Sequence, residues 1–247
     1  MHSRLLRNGG GLATVARALT PGGRLATGVR GLASGDQRGT TAMRELLDRA
    51  LTKVNEHGWT QQAIVAAAEE AQLPPMAYSI GKPVDLVSHF MDRALDTTCC
   101  EAEDQLHELD TATDKLRLLC RIRLRQTGRV VRRWPEAAAL LAQPQNVPLA
   151  MRQLNALASQ LWYLAGDAST RGDWYLKRSA LAAAYVASEL YMCEDRSPNF
   201  QATWDFLDRR VQGVQEAVDA GASAKAIGEQ VSRNLLNILA SHGYVPR

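Results

Sequence analysis

The first 35 residues contain no aspartate or glutamate. Residues 1–39 carry six arginines (Arg4, Arg7, Arg17, Arg24, Arg30 and Arg38) against one acid, Asp36. An Arg-rich, acid-poor leader of Gly, Ala, Ser and Thr with scattered leucines has the composition of a mitochondrial transit peptide. It lacks the unbroken apolar run that a secretory signal requires. The formal charge of +3 for the whole chain becomes −2 over 40–247, because the leader alone holds +5. The basic balance therefore belongs to the leader and gives no support to a nucleic-acid partner.

Other absences narrow the function. The four cysteines (Cys99, Cys100, Cys120 and Cys193) form no C-x-x-C pair, which argues against a zinc ribbon or a disulfide framework. No uncharged apolar run approaches the ~20 residues that span a bilayer. There is no Gly-rich phosphate loop and no nucleophile elbow. Di-iron bundles need two Glu-x-x-His motifs, and only one Asp104-x-x-His107 occurs. No constellation points to catalysis, to a metal or to a cofactor.

What is present is helical periodicity from Thr41 onward, with almost no strand alternation. The spacing predicts helices over about 42–57, 61–71, 84–109, 114–133, 135–143, 149–165, 174–194, 198–220 and 222–242, with a very short one opening at Pro75. Gly58 is placed to end the first as a left-handed cap, and Thr60 to cap the second. Leu116, Leu119, Ile122 and Val130 form the inward stripe of 114–133, and its seven arginines read as a solvated face. Residues Ser179 to Ser188 are uncharged, with five alanines beside Leu181, Tyr185 and Val186. A helix apolar nearly all round belongs in a bundle interior, as ordinary core or as the wall of a ligand pocket. On the last helix Ile227, Val231, Leu235, Ile238 and Leu239 share one face, with Lys225, Glu229 and Arg233 opposite. Such a face docks on the chain's own core, a partner or a membrane interface.

Helix, short helix, turn, short helix is the layout of a helix-turn-helix domain. His57-Gly-Trp-Thr60, Ala66-Ala-Ala68, Leu73 and Gly81-Lys82 resemble the N-terminal region of the tetracycline-repressor family. A DNA-binding repressor of that type is thus the alternative function. Lys and Arg contacts to phosphate dominate DNA affinity, yet residues 60–81 hold no Lys or Arg while Glu69 and Glu70 are present. The region reads as a helix-turn-helix kept as architecture, without nucleic acid.

Four runs carry a more specific resemblance: WYLAGDAST from Trp162, DWYLKR from Asp173, AAAY from Ala182 with Glu189-Leu190 after it, and SPNFQATWDFLDRRV from Ser197. Together they resemble the family of lipid-binding accessory proteins of mitochondrial coenzyme Q (ubiquinone) biosynthesis. The resemblance implies an all-α, tetracycline-repressor-like fold: a leader over 1–39, a degenerate helix-turn-helix region over 40–98, a helical lipid-binding region over 99–220, and an amphipathic membrane-associating helix and tail over 221–247. It implies a non-enzymatic homodimer, peripheral on the matrix side of the inner membrane, without a cofactor. Its ligand would be an isoprenoid quinone intermediate, presented to the di-iron demethoxyubiquinone hydroxylase. Carried over, the partner-binding positions are Leu124, Leu161, Trp174, Tyr175 and Arg178. The lipid wall is assigned to Leu181, Tyr185 and Leu190, and membrane contact to Ile227, Val231, Leu235, Ile238 and Leu239. One departure stands out: the family often has an acid three residues before the Trp, where this chain has Arg171, with Asp173 acidic instead.

Overall fold

The computed structural model of the protein describes residues 30–74, 81–167 and 172–219. Among these residues all regular structure is helical, as the periodicity predicts. The order is α1 (Arg30–His57), α2 (Gln61–Glu70), α3 (Pro83–Leu106), α4 (Ala112–Gly128), α5 (Trp134–Leu141), α6 (Val147–Leu164), α7 (Gly172–Glu194), a 3-10 turn (Pro198–Phe200) and α8 (Gln201–Asp219). Residues 75–80, where the very short helix is expected to open at Pro75, lie outside the described residues, as does the expected final helix with Ile227, Val231, Leu235, Ile238 and Leu239. The chain divides into a unit of residues 1–39 and one of residues 40–247, and the packed helical core belongs to the second.

Helix ends follow local chemistry. Gly58 closes α1 with φ +69° and an N–H bond to the Val54 carbonyl at 2.8 Å, the left-handed cap expected of glycine. A Cβ at this position would collide with Glu136 Oε2. That carboxylate accepts the next backbone N–H, of Trp59, at 3.2 Å and so ties the α1–α2 turn to α5. Thr60 occupies the N-cap position of α2 but makes no side-chain cap. Its hydroxyl instead donates to the His57 carbonyl at 2.8 Å. Thr111 does cap α4, accepting the Asp114 N–H at 3.1 Å. The helix then leaves its path at Gly128, short of the expected Arg133.

The break between α7 and α8 is built by Asp195 and Ser197. Asp195 accepts N–H bonds from Ser197 (2.7 Å) and Thr203 (2.8 Å), and Ser197 Oγ accepts the Ala202 N–H at 2.9 Å. Burial pushes the Asp195 carboxyl upward, but those hydrogen bonds outweigh it and hold the group below its ordinary value. Asn199 and Phe200 take left-handed backbone angles (φ 53° and 58°), and the Trp204 indole N–H holds the turn by donating to the Asn199 carbonyl at 2.8 Å.

Two apolar clusters form the interior. One joins α1, α2, α3 and α5 around Trp59, Phe90 and Trp134, whose ring centroids lie 5.3–5.8 Å apart. The other joins α4, α6, α7 and α8 around Leu119, Leu161, Trp162, Leu181 and Leu207. α7 packs most extensively on α8 and α6, which makes it the central element of the second cluster. No helix of the described residues is long and apolar enough to cross a membrane.

Candidate functional site: an aromatic surface and a buried polar core

The start of α7 presents aromatic surface. Tyr175 is 67% exposed, and the Trp174 ring meets it edge-on at 4.6 Å. At the far end of α6, Tyr163 is 71% exposed. Exposed rings of this size beside an arginine are the composition of an interface hot spot. Their neighbours hold them in place. The Arg178 guanidinium lies 3.9 Å from the Trp174 centroid, a close cation–π contact. It also donates to Ser159 Oγ (3.0 Å) and to the Trp174 carbonyl (3.2 Å). Burial lowers its proton affinity, and the nearby Asp167 carboxylate raises it again. Asp167, at the α6–α7 turn, also binds Lys177 Nζ, which sits 5.3 Å from the centroid of Trp162. The Trp162 indole N–H donates to the Lys177 carbonyl at 2.8 Å. Thus the WYLAGD run and the DWYLKR run, separate in sequence, meet through one carboxylate and two cations.

Leu124 and Leu161 do not join that surface. Both are fully buried in the α4–α8 cluster, because the apolar stripes of α4 and α6 face α7 and the core. Of the five carried-over partner positions, the structure brings together Trp174, Tyr175 and Arg178, and leaves the two leucines as interior support. Arg171 lies outside the described residues.

Leu181, Tyr185 and Leu190 are buried at 1%, 2% and 6% exposure. Their surroundings are not purely apolar. The Tyr185 hydroxyl donates to Glu189 Oε1 at 2.9 Å, and the Thr127 hydroxyl donates to the same oxygen at 3.0 Å. Trp134 adds a further side-chain hydrogen bond to this carboxyl. Thr127 Oγ1 in turn accepts from Arg123 Nη1 at 3.2 Å. The Arg123 guanidinium, 1% exposed, lies between the rings of Phe90 (5.6 Å) and Tyr185 (5.7 Å), where the two apolar clusters adjoin. Burial raises the Glu189 carboxyl above its ordinary value, against the opposing pull of Arg123 and the three hydrogen bonds. Burial likewise drives the Tyr185 phenol well above its ordinary value, with Arg123 pulling it down and Glu189 pushing it up. Cys120 and Cys193 are pushed up to about 12 by burial and are inert thiols at neutral pH.

The reading of all seven arginines of the expected 114–133 helix as solvated is corrected by Arg123. The sequence carries a signal for it: Leu116, Leu119, Arg123, Thr127 and Val130 follow one helical stripe, so Arg123 and Thr127 stand on the inward face. Two clefts open beside this core. One, of about 310 Å³, lies between α1, α3 and α4 and includes Leu51, Phe90, Arg93, Ala94, Gln126 and Val130 in its walls. The other, of about 430 Å³, is walled by Arg117, Arg121, Arg125 and Asp208 among others. Neither is lined by Leu181, Tyr185 or Leu190.

Residues 147–218, from α6 to near the end of α8, match the COQ9 family model. The chain is 34% identical over 200 residues to the mitochondrial ubiquinone biosynthesis protein COQ9 of Rattus norvegicus, covering 77% of this chain and 64% of that protein. Its counterpart in Homo sapiens is 35% identical, with 77% and 63% covered. COQ9-B of Xenopus laevis is 33% identical over 205 residues, with 78% and 69% covered. The chain therefore spans a little under two thirds of the length of the rat and human relatives.

Proposed function

The chain belongs to the COQ9 family of ubiquinone-biosynthesis proteins, and from that membership we propose that it is a non-enzymatic lipid-binding protein serving a hydroxylase. It binds isoprenoid quinone intermediates in its helical region and presents them to the di-iron demethoxyubiquinone hydroxylase. It works as a homodimer in the mitochondrion, peripheral on the matrix side of the inner membrane. The apolar face of Ile227, Val231, Leu235, Ile238 and Leu239 supplies the membrane contact. The physical need is clear: an isoprenoid tail carries a transfer penalty of roughly 0.8 kcal/mol per CH₂ in water, which a helical sleeve removes.

The observation that carries the reading is the aromatic surface at Trp174 and Tyr175, clamped from below by Arg178. Aromatics and arginine at a desolvated centre supply most of the binding energy in protein interfaces. Replacing both rings, as Trp174→Asp with Tyr175→Asp, is expected to weaken capture of the purified hydroxylase by about 100-fold, the loss of two hot-spot side chains. The Tm should move little, since Tyr175 is 67% exposed. Unchanged capture by the folded variant overturns the patch assignment. The lipid half has its own test. Protein purified from quinone-producing cells is expected to release polyprenylated quinones on solvent extraction, read by mass spectrometry. Extracts free of isoprenoid lipid count against the carrier role.

A further inference from the structure

We propose that the cleft between α1, α3 and α4 leads to a head-group subsite at Arg123, where a flat ring bearing a neutral carbonyl acceptor, a benzoquinone, is recognised. The inference rests on the lipid-binding function proposed for the chain and deepens it by naming the residue that selects the ring.

Arg123 is an anomaly as it stands. A buried guanidinium normally sits in a direct ion pair or fully hydrogen-bonded. Here the side chain is 1% exposed and its Nε–H has no partner. Its hydrogen bond to Thr127 Oγ1 relays to Glu189, since Thr127 accepts from Arg123 and donates to the carboxylate. An unpaired buried donor carries an uncompensated desolvation penalty, so an acceptor supplied by a ligand is favoured here.

The surroundings select the kind of acceptor. Glu189 already balances the charge of Arg123 through Thr127, so a second anion would be repelled and a neutral carbonyl is not. The guanidinium lies between two aromatic rings, Phe90 and Tyr185, and aromatic faces favour a flat conjugated ring in offset or edge contact. Access comes from the cleft. Phe90, which covers the guanidinium, is also a wall of the 310 Å³ space. Gln126 and Val130, on the turns of chain that follow Arg123, form further wall. A space of this size is at the lower end of small-molecule sites and suits a head group rather than a whole polyprenyl lipid. Phe90 stands between the cleft and the guanidinium, so occupation of the subsite requires that ring to turn aside.

Titration calorimetry with two probes separates this subsite from lipid binding in general. The probes are a decyl-substituted dimethoxybenzoquinone and farnesol, which has an isoprenoid tail and no quinone. Wild type and Glu189→Gln, which keeps Arg123, are expected to bind both. The paired variant Arg123→Met/Glu189→Gln removes both buried charges at similar volume. It is expected to bind farnesol as wild type does and the quinone about 10- to 100-fold more weakly, the effect of losing a hydrogen bond from a charged donor. Quinone affinity of the paired variant within about threefold of Glu189→Gln overturns the subsite and leaves the carrier role standing. A wild-type protein that binds neither probe overturns both. A third variant tests the route independently of the buried pair. Thr52 is an exposed residue in the wall of the cleft. Thr52→Trp narrows that space from α1, and is expected to weaken quinone binding about tenfold while leaving farnesol unaffected. No effect there overturns the cleft as the way in.

Discussion

Replacing Trp162 by alanine is expected to destabilise the protein by about 3–5 kcal/mol, the range for removing a large buried aromatic. For a domain of this size that is a fall in Tm of roughly 6–20 °C. The ring is 2% exposed and belongs to the α4–α8 cluster. Its indole N–H holds the Lys177 carbonyl at 2.8 Å, and Lys177 Nζ rests 5.3 Å from its centroid. The substitution therefore opens a cavity, removes a hydrogen bond between α6 and α7, and takes away the ring against which Lys177 Nζ rests. Trp174→Ala, which loses the Arg178 stack at the rim of the fold, is expected to cost only about 1 kcal/mol. Urea unfolding of the two variants measures the contrast. Equal midpoints for Trp162→Ala and wild type would show that the α6–α7 packing around this ring does not hold the fold.

Removing the buried acceptor is expected to cost as much. Glu189→Ala leaves the Tyr185 and Thr127 hydroxyls and the Trp134 indole without their carboxylate, and leaves Arg123 as an uncompensated buried charge. Breaking a buried charged network by deleting one member costs about 3–5 kcal/mol. Glu189→Gln keeps an acceptor oxygen for the hydroxyls and the indole but also leaves Arg123 without its compensating charge, so it is expected to cost less than Glu189→Ala but more than the ~1 kcal/mol of a neutral hydrogen bond. The pH dependence comes from the direction of the shift. Burial raises the folded carboxyl above its unfolded value, so the folded state holds a proton after the unfolded chain has released it. Stability is then greatest at or below the ordinary carboxylate range near pH ~4.3. The Glu189 contribution declines as pH rises through the window between the unfolded and folded values. Subtracting the Glu189→Gln profile from that of wild type isolates it, and a difference that grows in favour of wild type as pH rises would refute the assignment.

Both substitutions concern groups that are unevenly legible in the sequence. Trp162 opens one of the four family runs, although its bond to Lys177 crosses between helices. Leu124 and Leu161, contact positions by family resemblance, are interior. An apolar residue on a helix reads the same whether the facing element is a partner or the chain's own α7. Arg123 shares the 114–133 stretch with six other arginines, and by composition all seven read as solvated surface. Charge is the strongest single cue to exposure, and it fails where a compensating acceptor arrives from elsewhere in the chain. Glu189 is that compensation, joined through Thr127, whose bond to it spans 62 positions.

The all-helical class, the inward stripes, the Gly58 stop and the family are all written in the sequence, the last through wording concentrated in α6, α7 and the start of α8. The first three arise from local preferences and 3.6-residue periodicity, which act within a turn or two of chain. Helix packing, and nothing local, makes Asp167 bridge Lys177 and Arg178 beneath two tryptophans. It also leaves Arg123 buried between Phe90 and Tyr185 with an unpaired donor. The physical reason is that burying a charge depends on what surrounds it in three dimensions. Its cost is set by partners that the fold gathers from distant positions.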